Sequence, residues 1–314
     1  MQKLILATRS SPLALWQANY VAQKLQVAGF QIEIKSIETI GDKKLDVTLS
    51  KIGDKGVFTQ ELDKMLLDGE AHIAVHSAKD VPSHLPEGLQ IIAFTDRENP
   101  CDVIVSNTES FKLENRKMLI GTSSTRRVAT LRRYFPAIET VAIRGNLQTR
   151  IRKMQDGHCD ALMLAYAGVF RMGYTDLIQE ELDIAVFTPA VGQGCLAIEA
   201  SAELNDDVKI KINMVLNHFS TSISVEAERA FLKTMEGGCS VPVFCHASFN
   251  NSTVHILGGI ISLDGLEEVR KMADVKIDQN DLDSVRKVGE DLAKSVLSSN
   301  GNSILEKIKQ TLHP

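Results

Sequence analysis

No run of uninterrupted apolar residues in this 314-residue chain approaches the ~20 that a membrane-spanning helix needs. The N-terminal segment Met1-Gln2-Lys3-Leu4-Ile5-Leu6-Ala7-Thr8-Arg9 meets its arginine after only four apolar residues, too few for the core of a secretion signal. The five cysteines (Cys101, Cys159, Cys195, Cys239 and Cys245) include no CxxC pair, and an odd, scattered set fits a reducing compartment better than a disulfide framework. A cytoplasmic protein with no membrane association is therefore expected. HExxH and other zinc-ligand spacings are missing, as are the GxGxxG dinucleotide pattern and the P-loop. No metal site is expected. Low-complexity tracts and solenoid repeats are also lacking, which leaves an ordinary folded protein of two or three domains.

What the chain does have is charge in one place. The total is 35 Lys plus Arg against 40 Asp plus Glu, a net −5. Yet residues 116–153 carry ten cations and one acid, Glu139, a local balance of +9. Such an excess inside an acidic protein points to an anionic ligand. Nucleic acid is the weaker reading, because only Tyr134 and Phe135 lie in that window to serve as stacking platforms.

Strand and helix patterns alternate through the first two thirds. Strands are expected at 4–7, 31–37, 72–75, 118–120, 141–143 and 161–164. Helices are expected at 13–25, behind a Ser11 N-cap and first-turn Pro12, and at 58–67. Two more follow, one with Val128, Leu131 and Phe135 on one face, one with Leu147, Ile151 and Met154. Asp68-Gly69 and Asp156-Gly157 each close a helix and open a strand, so two similar α/β lobes with parallel or mixed sheets are inferred. Extended connectors at 94–100 and 188–194 bracket the second lobe and would make a hinged cleft. Ligands in open α/β sheets bind at the carboxyl ends of strands, so residues 8–11, 76–80, 121–127 and 144–146 should line it. The last third reads as a separate α+β domain: a helix at 226–236, strands at 255–261 and 269–277, a helix phased on Leu282, Val285, Val288 and Leu292, and a final helix opened by a Ser303–Glu306 capping box.

Gly121-Thr122-Ser123-Ser124-Thr125-Arg126-Arg127 joins a strand to a helix with small and hydroxyl residues, a cradle for an anion. Arg126 and Arg127 stand in the first helical turn, where the helix dipole disfavours cations by about 0.3–1 kcal/mol each, and a bound anion would relieve that cost. Thr8-Arg9-Ser10-Ser11-Pro12 repeats the arrangement in the first lobe. Arg144 follows a strand and Arg150 lies on the next helix, both suited to bidentate grip of carboxylates. Arg132 and Arg133, further along their helix, are read as solvated. Lys79-Asp80 at a strand end is either a surface ion pair or a carboxylate placed to steady a developing cation and move protons from a departing amine. Cys239 follows two glycines and precedes Pro242, in a loop suited to covalent attachment or nucleophilic work, whereas Cys159 and Cys195 read as small core residues.

Six segments in register resemble the hydroxymethylbilane synthase (porphobilinogen deaminase) family: Ala7-Thr8-Arg9-Ser10-Ser11-Pro12-Leu13-Ala14-Leu15-Trp16-Gln17-Ala18, His76-Ser77-Ala78-Lys79-Asp80-Val81-Pro82, Gly121-Thr122-Ser123-Ser124 with Arg126-Arg127, Arg144-Gly145-Asn146 with Thr149-Arg150, Pro189-Ala190-Val191-Gly192-Gln193-Gly194, and Glu236-Gly237-Gly238-Cys239. The resemblance implies two periplasmic-binding-protein-like lobes, 1–94 with 195–215 and an inserted 100–188, hinged at 95–99 and 189–194. A third domain, 218–314, would carry a dipyrromethane cofactor as a thioether on Cys239. It further implies a monomeric transferase that polymerises four porphobilinogen molecules head to tail and releases hydroxymethylbilane by hydrolysis.

By the same resemblance, Asp80 with Lys79 is catalytic. Lys79, Asp80, Thr122, Ser123, Ser124, Arg126, Arg127, Arg144, Gly145 and Arg150 bind cofactor, and Arg9, Ser11, Arg144, Arg171 and Gln193 bind substrate. Residues 41–56 with Lys51, Lys55 and Phe58 resemble the family's mobile loop. Thr125, Asp54 and Cys101 depart from the usual pattern. The alternative is a non-catalytic hinged anion-binding or effector-sensing protein, which accounts for the arginines but gives no work to Cys239 or Lys79-Asp80.

Overall fold

The computed structural model describes residues 3–39, 59–238, 240–277 and 281–312. The chain opens with β1 (Lys3–Arg9), α1 (Pro12–Val27), β2 (Gln31–Ile37), α2 (Gln60–Leu67), β3 (Ile73–Ser77) and β4 (Leu89–Phe94). It continues with β5 (Asp102–Val105), β6 (Leu119–Gly121), α3 (Thr125–Tyr134), β7 (Glu139–Val141), α4 (Leu147–Gln155), β8 (Ala161–Ala165), α5 (Tyr166–Arg171) and β9 (Ile178–Glu181). Next come β10 (Leu196–Ser201), α6 (Asp206–Leu216), α7 (Phe219–Thr234), β11 (Val243–Asn250), β12 (Thr253–Ile261), β13 (Glu268–Lys276), α8 (Leu282–Val296) and α9 (Asn302–Leu312).

Two five-stranded sheets share one topology, β2-β1-β3-β10-β4 and β7-β6-β8-β5-β9. In each, three parallel strands are followed by an antiparallel one, β10 against β3 or β5 against β8. The Asp-Gly repeat recurs as geometry. Asp68 and Asp156 cap α2 and α4, and Gly69 and Gly157 follow with φ of 70° and 82°, values that glycine adopts without strain. The inferred pair of similar mixed-sheet lobes is thus what the strands form. The lobes exchange strands: each crossing of the chain feeds an antiparallel strand into the sheet on its far side. The crossings also bond each other, Thr95 N to Leu196 O (3.0 Å) and Glu98 N to Gly194 O (3.2 Å). Gly194 has a φ of 102°, and a β-carbon there would collide with the Glu98 carbonyl.

The third sheet, β11-β12-β13, is antiparallel and packs on α7 and α8 through Phe231, Val254, Ile256, Val285 and Val296, all buried. Each such side chain contributes roughly 1.5–3 kcal/mol of apolar burial. Some sequence expectations shift. The third-domain helix begins at Phe219 rather than at 226, since Thr221, Ile223, Ser224 and Val225 are buried along it. The strand expected at 141–143 is β7, ending at Val141. Ser303 does not cap α9: it stands inside the helix, and Asn302 Nδ2 bonds Glu306 (3.2 Å) instead, because a kink with Asn300 at φ 84° joins α8 to α9 directly. No helix among the described residues is long and apolar enough to cross a membrane.

Candidate functional site

Four loops converge at the carboxyl ends of the parallel strands. After β1, Ser11 Oγ accepts the Ala14 amide (3.4 Å) and caps α1, with Arg9 half-buried beside it. After β3, a single 3-10 turn, Ala78–Asp80, carries the lysine and aspartate; Gln17 Nε2 bonds Ser77 Oγ (2.9 Å) and Ala78 N bonds Cys195 O (3.0 Å), fixing the turn from two sides. Lys79 reaches Gln193 Oε1 (3.5 Å). Its surface is open to the cleft, but surrounding protein weighs against the ammonium and, with Asp80 partly opposing, lowers it to about 8.

Across the cleft, a β-carbon on Gly121 would lie 2.7 Å from Ile143 and Leu162, so the end of β6 is packed too closely for a side chain unless these neighbours shift. Thr122 Oγ1 accepts the Ser124 amide (3.3 Å), Ser123 Oγ donates to Ile143 O (3.0 Å), and Ser124 caps α3 through the Arg127 amide (3.5 Å). These hydroxyls serve the turn itself. Gly145, at φ 114°, leads into Asn146, whose Oδ1 accepts the Thr149 amide (2.9 Å) and caps α4. Arg150 Nε donates to Gly145 O (2.7 Å). Burial and neighbouring Arg127 lower Arg150 to about 10, with Asp80 opposing and Arg144 adding. Charges from both lobes therefore act on one another here.

The first-turn arginines are not solvent-facing. Arg126 and Arg127 are 5% and 6% exposed and share the fully buried Asp102, at 2.8 Å each. Arg126 Nη1 also donates to Thr188 O (2.8 Å), Arg127 Nη1 to Met163 O (2.9 Å), and Gln193 Nε2 to Asp102 (2.9 Å). The two guanidiniums outweigh burial and hold Asp102 well below the usual carboxylate range. The frustration expected at this helix start is therefore relieved first by an internal acid. Two cations on one anion still leave a buried positive surplus, and Arg127 Nε is buried without an acceptor. That positive surplus suits a carboxylate-bearing cofactor.

Arg171 Nη2 donates to Gly194 O (2.6 Å), with its guanidinium 5.7 Å from the Trp16 ring, so it bridges α5, the second crossing and α1. Arg132 and Arg133 are exposed, as expected, and also touch the third domain: Arg132 bonds Leu263 O (2.6 Å), and Arg133 pairs with Glu268 (2.5 Å). Cys239 and the expected loop residues Lys51, Lys55 and Phe58 lie outside the described residues. Gly238 and Ser240 follow the end of α7, with Val241 N on Gly238 O (3.1 Å).

Sequence reasoning missed the joints. Asp102 opens an apolar strand, and Glu228 sits within the buried stripe Ile223-Ala227-Phe231 of α7. A charged residue in an apolar pattern is the signal that would have marked both. Glu228, wholly buried, accepts from Arg97 (2.7 and 3.1 Å), Gly192 N (2.7 Å) and Ala247 N (2.7 Å), and despite burial Arg97 and His246 hold it at about 2. No cluster able to hold a metal occurs among the described residues.

Two α/β lobes of one topology thus carry buried arginines and a Lys-Asp turn at the carboxyl ends of their strands. Residues 4–210 match the family description "Porphobilinogen deaminase, dipyromethane cofactor binding domain", and residues 222–298 match "Porphobilinogen deaminase, C-terminal domain". The porphobilinogen deaminase of Cytophaga hutchinsonii is 49% identical over 308 residues, 98% of this chain and 97% of that protein. That of Desulfosudis oleivorans is 46% identical over 307 residues, 97% of each. Among solved structures, the Bordetella pertussis BvgS VFT2 domain is similar at 17% identity and a TM-score of 0.42, over 70% of this chain and 88% of that one. A Salmonella typhimurium periplasmic binding protein shows 14% identity and a TM-score of 0.38, over 68% and 92%. The chain belongs to the porphobilinogen deaminase family.

Proposed function

We propose that the cleft deaminates porphobilinogen, joins four units head to tail on a dipyrromethane primer tethered to Cys239, and frees hydroxymethylbilane by hydrolysis. The observation that carries this reading is the buried cationic surplus: two guanidiniums share Asp102, and Arg127 keeps an unpaired Nε beside Lys79 and Arg150. Each pyrrole ring brings two carboxylates, so a growing chain needs such a surplus to hold it. Dipyrromethane, when bound, supplies the free pyrrole carbon to which the first unit is joined.

The protein's own groups do the rest. Arg127, Arg144 and Arg150 take primer carboxylates, with Thr122, Ser123, Ser124 and Gly145 shaping the loops around them and Arg126 orienting Arg127 through Asp102. Arg9, Ser11, Arg171 and Gln193 serve the incoming substrate. In each addition the aminomethyl C–N bond breaks, ammonia leaves, a C–C bond forms, and the ring carbon attacked gives up its proton. Asp80 steadies the positive charge that develops on the substrate and assists that proton transfer, while Lys79 remains cationic at neutral pH.

On this reading, 1–94 with 195–215 closes against 100–188 about crossings at 95–99 and 189–194, and 218–314 presents Cys239. The enzyme works as a cytoplasmic monomer on a small molecule, with no nucleic-acid partner. Intact-protein mass spectrometry tests it. The purified protein should carry the added mass of two linked pyrrole units, and Cys239→Ser should lack it. A fully active wild type with no added mass would overturn the tether.

A further inference from the structure

Behind the catalytic turn lies a second set of buried ionisable groups. Asp63 of α2, His76 of β3 and Glu199 of β10 are 6%, 5% and 1% exposed. His76 Nε2 lies 2.9 Å from Glu199 Oε2, and Thr59 Oγ1 donates to Asp63 Oδ2 (3.2 Å). The remaining oxygens, Asp63 Oδ1 and Glu199 Oε1, are both buried without a donor, and α2 packs against β10 so that each carboxyl acts on the other. A single proton held between the two carboxyls would give both a partner. Without it, two desolvated anions would stand in contact.

The three residues belong to the segments that deliver the site. Lys79 and Asp80 lie three and four residues beyond His76. Gln193, which Lys79 contacts, lies six residues before Glu199. β3 and β10 pair directly, Ala197 opposite His76. We propose that Asp63, Glu199 and His76 form a shared-proton clamp that locks α2, β3 and β10 together and so positions the Lys79–Asp80 turn for catalysis. None of the three touches substrate; all are positioning residues.

Thr59 bonds Asp63 from the start of α2, and Arg229 of α7 acts on Glu199 while its own Nη2 holds Pro82 O (2.9 Å), just past the turn. Burial and Glu199 raise Asp63 to about 7, with His76 and Thr59 opposing. The folded state therefore keeps a proton that the unfolded chain loses near pH 4. Stability from this group is fully present below that value and is lost as pH rises towards 7.

Asp63→Asn supplies an amide donor where the proton would sit and cannot titrate. Comparing it with the wild-type holoenzyme cancels Lys79, present in both. The Tm of wild type relative to Asp63→Asn should fall by several degrees between pH 5 and 7.5, and the wild-type to variant ratio of kcat should fall severalfold between pH 6 and 8. Asp63→Leu, which removes the donor at similar volume, should lower kcat more than it raises KM at every pH, with Asp63→Asn restoring much of the loss. A Tm difference flat across pH would remove the shared proton. Wild-type kcat and KM in Asp63→Leu would remove the positioning role.

Discussion

Arg127 shows how one residue's placement decides a site. Its charge is buried beside Arg126 at a helix start that disfavours cations, and Asp102 offsets both. Replacing Asp102 with Asn would leave two desolvated guanidiniums facing a neutral amide. Removing one partner of a buried pair costs about 3–5 kcal/mol, so Tm should fall on the order of ten degrees. Because the arginines depress Asp102, the stability it confers exists above its unfolded pKa near 4 and is lost as pH falls through the folded value. The gap between wild type and Asp102→Asn in thermal melts should therefore narrow below pH 4; a gap that widens in acid contradicts the assignment. Lys79 gives the opposite limb. Its ammonium is lost above about 8, so KM for porphobilinogen should rise there in the wild type. In Lys79→Met, KM should be raised already and flat across that range.

At the scale of elements, what could be read in the sequence was what repeats locally. Ser11 before Pro12, the Asp-Gly closures and the apolar faces of α2 and α4 are short-range signals, and each element stands where they put it. The joints between elements could not be read in that way, because their partners lie far apart in sequence. Arg97 meets Glu228 across 131 residues, and Arg133 meets Glu268 across 135. Only the sheet exchange at the crossings brings the first pair together, so a helix pattern could record that α7 was apolar but not why it kept a glutamate. Arg97 also donates to Gln193 O (2.8 Å), so this pair joins the first crossing, the second crossing and the third domain. Arg97→Met and Glu228→Gln should each be strongly destabilising. The double variant should lose less than their sum, with a coupling of about 0.5–3 kcal/mol. Strict additivity in chemical denaturation would mean the pair does not act as a joint.

Across the whole molecule, an acidic chain of net −5 concentrates a local +9 in the lobe whose buried arginines outnumber their acid. Folding such a lobe without its ligand means desolvating more cationic than anionic charge around Asp102, so the ligand-free protein should be measurably weaker than the loaded one. On the proposed attachment at Cys239, Cys239→Ser isolates that state, since the tether would be lost while every arginine remains. A small multivalent anion that occupies the surplus charge binds the folded chain and not the unfolded one, and stabilises it by about 2.7 kcal/mol at a hundredfold excess over Kd. Sulfate should therefore raise the Tm of Cys239→Ser well above the effect of sodium chloride at equal ionic strength, and have a smaller effect on the wild type with its cofactor in place. General stabilisation by a salt excluded from the protein surface predicts the same shift in both proteins. Adding Arg127→Met to Cys239→Ser decides between the two: removing the guanidinium with the unpaired Nε should abolish the extra sulfate effect, whereas an undiminished response would mean that the surplus is not what the cleft uses to hold its ligand.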